Sequence, residues 1–182
     1  MTEADVALGV SAYTGAAQFI TNKDYLTAAA SVLATEARHA SWVASTVNGG
    51  SGWSGALDVP LTLNTVYTLA ASFITSCPST NPALPVKAFP AVSFGSNPTP
   101  GSTATVSFNS TTDASTPLYA VFFTGLSQIF SPIQNGQTMI PQNLLGTVYA
   151  VVCTNDTLAS DLNIVAGPAI LDFPFNSQGQ LV

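Results

Sequence analysis

The only histidine of the chain and one of its two glutamates stand three positions apart, in Glu36-Ala-Arg-His39. Only 7% of the residues are charged, so this pair inside an otherwise apolar run is a chemical signal. On a helix, positions three apart share a face. Val32, Glu36, His39 and Val43 then form one stripe, and Arg38 lies roughly 200° around the helix from Glu36. That stripe falls where an apolar partner ought to pack. An uncompensated carboxylate there is costly, so Glu36 is expected to meet His39, a backbone group, a hydroxyl or a metal.

Glu-x-x-His on a bundle helix is the repeating unit of di-metal carboxylate sites, which draw that motif from two helices and a lone glutamate from each of two others. Glu36 and His39 are therefore the candidate metal ligands, with iron or manganese as the metal. One histidine and two glutamates do not complete such a set within one chain, so no cofactor is expected for the single molecule. If the preceding turn centres near Thr21 or Asn22, Glu36 faces Ala7 and Leu8. Asp5 then sits off level, and Glu3 lies further away.

Other catalytic arrangements lack their residues. A lone histidine excludes a His-based metal cluster, and no Gly-x-Ser-x-Gly elbow, phosphate-binding glycine loop or local Cys-His pair occurs. "GGSGWSG" and "GSNPTPG" do not sit at strand-to-helix junctions and read as loops. Asp113, Asp156 and Asp161 fall in turns, where ordinary Asx-turn bonding accounts for them. Trp42 and Trp53 bracket the loop after the second helix and are expected to pack against a third. Enzymatic activity is thus left without a candidate catalytic residue.

The chain has three Lys and Arg against nine Asp and Glu, a net charge of −6. Arg38, Lys23 and Lys87 cannot form the basic patch that nucleic-acid phosphates require, so no nucleic-acid partner is expected. Hydrophobic residues make up 47% and mean hydropathy is +0.37, yet no apolar run approaches the ~18 residues of a membrane span. The apolar surface must be buried in a fold or against a partner. Ser, Thr, Asn and Gln supply the polarity instead of charge, a composition expected of a secreted or cell-surface protein. Asn109-Ser-Thr and Asn155-Asp-Thr are N-glycosylation triplets. Cys77 and Cys153 could close one long-range disulfide in an oxidising compartment, or remain two buried thiols. "MTEADVALGV" lacks the basic start and long apolar core of a signal peptide.

Two kinds of element must position these groups. Residues 3–20 and 25–45 read as helices joined by a short turn with Asn22 and Asp24 as capping residues. Leu26, Ala29, Leu33, Glu36, Ala40 and Val43 follow a 3-and-4 rhythm. Gly9 and Gly15 lower helix propensity and permit close packing. A Gly/Ser-rich loop leads to a third helix near 62–75, which the proline-rich "CPSTNPALPVKAFP" terminates. From Phe89 onward, β-branched and aromatic runs alternate with turn signals: "FPAVSF", "STATVSF", "LYAVFF", "QTMIP", "GTVYAVVC" and "NIVAGPAILDF". About six or seven strands at this spacing predict an antiparallel sandwich of immunoglobulin-like size. Gly167-Pro168 predicts a bulge or an edge position. The expected class is α+β: a helical region at 1–76, a linker at 77–88 and a β-sandwich at 89–182.

"GVSAYTGAAQFI", "YLTAAASVLATEARHASWV", "DVPLTLNTVYTLAASFI" and "CPSTNPALPVKAFPAVSF" closely resemble the fungal stress-response and desiccation-related proteins with a ferritin-like domain. The resemblance runs from about residue 9 to the C-terminus. It implies a four-helix bundle of which this chain carries the later helices, the first two being expected to be missing. That family often carries a glutamate about where Val6 stands here. A hairpin cut from a bundle leaves apolar surface open, so self-association as a dimer or filament is expected. The expected role is a non-enzymatic structural or assembly protein. The alternative is a metal-binding or oxidoreductase-type remnant using Glu36 and His39, since a dimer would supply the four glutamates and two histidines of a di-metal site.

Overall fold

The computed structural model describes residues 3–109 and 112–182, and the side chains of the first helix from residue 7 onward. Helix α1 (Glu3–Ala16) ends in a single 3-10 turn, Ala17–Phe19, and α2 (Lys23–Trp42) returns alongside it. Asn22 starts α2 as expected, its side-chain oxygen accepting from the backbone N–H groups of Asp24 and Tyr25. The last turn of the predicted helix is wider: Val43–Val47 is a π-helical turn. Leu26, Ala29, Leu33, Glu36, Ala40 and Val43 are all half-buried, so the 3-and-4 rhythm did mark the face turned to α1.

Helix α3 (Leu63–Ala71) is shorter than the predicted range. Its N-cap, Thr62, accepts from the N–H of Thr65 and donates to Asp161. The second carboxylate oxygen of Asp161 reaches the N–H of Asn64 at 3.4 Å. A carboxylate at a helix N-terminus meets free N–H groups and the positive end of the dipole. Asp161 is therefore more than a turn residue: it ties the loop at 154–163 to α3. Asp161→Ala is expected to cost about 1–2 kcal/mol in denaturant unfolding, with an unchanged m-value.

The β elements are β1 (Val92–Ser93), β2 (Thr103–Thr105), β3 (Ser107–Phe108), β4 (Tyr119–Thr124), β5 (Ser127–Pro132), β6 (Gln137–Met139), β7 (Gly146–Cys153) and β8 (Ile164–Phe173). The longer strands form one antiparallel sheet in the order β5-β4-β7-β8, and the short ones make two two-stranded ladders, β1-β3 and β2-β6. The fold is therefore mixed α+β with antiparallel sheets. Strand β5, "SQIFSP", has no counterpart in the sequence reading, because its serines, glutamine and proline dilute the strand signal. It lies at a sheet edge, where Pro132 is tolerated. "STATVSF" divides at Val106 into β2 and β3. Asn135 and Gly136 both take positive φ, 51° and 72°, making the tight turn that leads into β6. Around Gly167-Pro168 the β7–β8 register shifts, and β8 pairs only with β7 in its sheet, so both expected consequences of that dipeptide are present.

Every residue of β7 is buried, which explains the unbroken apolar run "GTVYAVVC". Side chains alternate between two cores. Val148, Ala150 and Val152 join Ala120 and Phe122 beneath the short ladders, with Phe94, Ala104 and Ile140. Tyr149, Val151 and Cys153 join Val121 and Phe123 on the opposite face, against Leu8 of α1, Leu61, and Val66 and Leu69 of α3. The helices and the strands thus share the second core. No helix among the described residues is long and apolar enough to cross a membrane.

Candidate functional site

Glu36 and His39 lie on α2 as the sequence implied, with the Glu36 carboxylate 4.0 Å from Nδ1 of His39. Their surroundings differ from the expected buried stripe. The Glu36 side chain is 30% exposed and that of His39 is 62% exposed. Glu36 leans toward α1, but over Gly9 rather than Ala7 or Leu8: a Cβ on Gly9 would meet its Oε2 at 3.0 Å. Gly9 therefore opens a seat for the carboxylate. Val32 is exposed with His39, while Val43 is half-buried. The stripe straddles the boundary of the α1–α2 contact, with Glu36 and Val43 at its edge and Val32 and His39 outside it. Arg38 points away, as predicted, and folds along its own helix to the carbonyl of Ala34 and the hydroxyl of Thr35.

Iron or manganese at a carboxylate-histidine site requires more ligands than this pair supplies. No group of three His, Cys, Asp or Glu side chains converges among the described residues. The side chains of Glu3 and Asp5 lie outside the described ones. The donor set around Glu36 and His39 does not fit a di-metal centre within the single chain, and no chemistry is routed through one.

Of the two alternatives for the cysteines, the structure holds two free thiols, of which only one is buried: Cys77 is exposed and Cys153 buried. Cys153 closes β7 on the helix side of the sheet and donates its S–H to the carbonyl of Asn155 at 2.8 Å. Burial pushes this thiol above its ordinary range. Sequence distance carried no information about which side of a sheet each cysteine would take.

Asn155 is exposed on the loop after β7, where its side-chain oxygen accepts from the N–H and hydroxyl of Thr157 and the N–H of Leu158. Asn109 is also exposed, while Ser110 and Thr111 of its triplet lie outside the described residues. Both tryptophans are exposed. Trp42 is exposed on α2, and Trp53 meets Phe175 edge-on at 6.4 Å between ring centroids.

Sequence reasoning missed a second constellation. Where α1, α2 and the 52–59 loop meet the sheet there is a cavity of about 180 Å³. Buried Ser11 of α1 donates to the phenol oxygen of Tyr149 on β7 at 3.2 Å, and Tyr149 is only 2% exposed. Burial pushes the Tyr149 phenol up to about 12, against a smaller lowering by the Ser11 bond, and the negative charge of Asp58 adds to the rise. A Tyr inside an apolar strand gave no hint of this, since its partner lies 138 residues away.

Residues 7–49, which span most of α1, all of α2 and the π-helical turn, match the family model of the ferritin-like domain. The match supports a ferritin-like family for the helical hairpin. No curated protein matches the chain.

Proposed function

We propose that this is a non-enzymatic structural or assembly protein that pairs with a second copy of itself through the uncovered face of α2. The observation that carries the reading is a heptad on that face. Tyr25, Ala28, Val32, Thr35, His39 and Trp42 follow alternating steps of three and four. Tyr25 is 71% exposed and Trp42 60%, with exposed Val32 between them. This is the spacing by which one helix seats against another. The two acidic and two basic residues of α2, Asp24 and Glu36 against Lys23 and Arg38, cancel, so the −6 of the chain does not concentrate there. A second hairpin supplies the two further helices of a bundle, which agrees with the ferritin-like match over the same residues.

The same reading places the protein in the fungal stress-response and desiccation-related group, with an immunoglobulin-like sandwich as its β part. The quoted sequence resemblance and the central antiparallel sheet support this. Secretion or display at the cell surface accords with sparse charge and with exposed Asn155 as a glycan acceptor.

Sedimentation analysis at micromolar concentration tests the assembly. The wild-type chain is expected to run as a dimer or larger species, and Tyr25→Ser with Trp42→Ser as a folded monomer. A wild-type chain that stays monomeric at about 100 μM, weaker than ~5 kcal/mol of association, would sink the proposal.

A further inference from the structure

The cavity behind α1 has two unlike sides. One is aliphatic, built from Val10 of α1, Ala40 of α2, Ala44 of the π-helical turn, and Val59. The other carries the Asp58 carboxylate and the hydroxyls of Ser54 and Thr147. No Lys, Arg or His lines it. Thr147 is buried, Ser54 is half-buried and Asp58 is exposed at the rim of the cavity, and no hydrogen bond of these three side chains is made among the described residues. Ser11 is already committed to Tyr149. The polar side therefore offers lone pairs and one negative charge without a cation to answer them.

We propose that this cavity binds a small primary ammonium compound with a short apolar tail. The three N–H donors of an ammonium match a carboxylate flanked by hydroxyl oxygens. The tail replaces water along Val10, Ala40, Ala44 and Val59. A cavity of about 150 Å³ accepts a benzene-sized guest, so a space of about 180 Å³ holds a ligand of that scale. An anion meets Asp58 with no counter-charge, and a polyol leaves the aliphatic wall without a partner. The site lies on the sheet side of the hairpin, away from the α2 heptad, so it does not depend on self-association.

Titration of the full chain with butylammonium, 1-butanol, butyrate and glycerol, followed by amide NMR shifts of residues 52–59 and Thr147, tests the assignment. Butylammonium is expected to give saturable shifts there, and butyrate none. Asp58→Asn should weaken binding by about tenfold, a loss of ~1.4 kcal/mol. Ala40→Leu, which fills the aliphatic side without altering charge, should abolish it. Absence of saturation by butylammonium at about 50 mM, a Kd far weaker than ~1 mM and ~4 kcal/mol, would overturn the proposal. So would equal binding of 1-butanol, preferential binding of glycerol, or indifference to Asp58→Asn in a variant whose spectrum is otherwise native.

Discussion

Replacing Gly15 with alanine is expected to destabilise the protein by about 3 kcal/mol, although the same change in most helices stabilises by up to ~1 kcal/mol. Gly15 lies in the last turn of α1, and the chain entering α3 crosses directly over it. The atoms nearest a Cβ there would all be backbone: the carbonyl oxygen, carbonyl carbon and nitrogen of Leu61. Backbone cannot swing aside as a side chain can. The crossing segment is also held to α1 by the bond from the N–H of Leu61 to the carbonyl of Ser11. Moving it breaks that bond and lifts buried Leu61 from the core beneath the sheet. Gly9→Ala is the internal control. The atoms nearest its new methyl group belong to the flexible end of Glu36, which can turn toward solvent, so the helix-propensity gain should survive. Denaturant unfolding of both variants should give opposite signs, with Gly15→Ala strongly lowered and Gly9→Ala equal to wild type or slightly raised.

The second large effect is a loss of stability in alkali. Folding raises the Tyr149 phenol from its ordinary value near 10 to about 12. Below pH 10 the phenol keeps its proton in both states and its contribution is fully present. Between pH 10 and 12 the unfolded chain releases that proton while the folded chain holds it, which favours unfolding. That rise corresponds to about 3 kcal/mol, lost as pH rises through that window. Unfolding free energies at pH 9, 10, 11 and 12 should therefore fall steeply for the wild type. Tyr149→Phe removes the titrating group and should flatten much of the slope, while costing about 1 kcal/mol at neutral pH through the lost bond to Ser11. Equal slopes for the two proteins would contradict a buried phenol at the helix–sheet junction.

The helical hairpin and most of the longer strands are legible in the sequence because their signals are local. The rhythm from Leu26 to Val43, the Asn22 cap and the Asn135-Gly136 turn each lie within a few residues. The unbroken run at β7 also announces burial on both faces. What covers those faces is not local. Helices separated from β7 by about a hundred residues of loops and strands form its second cover, and no periodicity within either segment names the other. The same reason hid the Ser11–Tyr149 pair, the seat of Asp161 on α3 and the cavity beside Asp58. Glu36-x-x-His39 shows the opposite case: the motif was visible, but its burial depended on neighbours that do not cover it among the described residues.

The bond between Ser11 and Tyr149 also sets a clock. Its partners are separated by 138 residues, which a ribosome adds in roughly 7–28 seconds. During that interval the α1–α2 hairpin exists without the strand that will seal its inner side. Forming this contact closes a long loop, so it belongs among the late, slow events of folding rather than the local ones. A newly made chain therefore presents both faces of the hairpin at once. The exposed heptad of α2 can meet another molecule before the sheet has claimed α1. If the proposed pairing of two copies holds, assembly and folding compete for the same two helices in the seconds after synthesis.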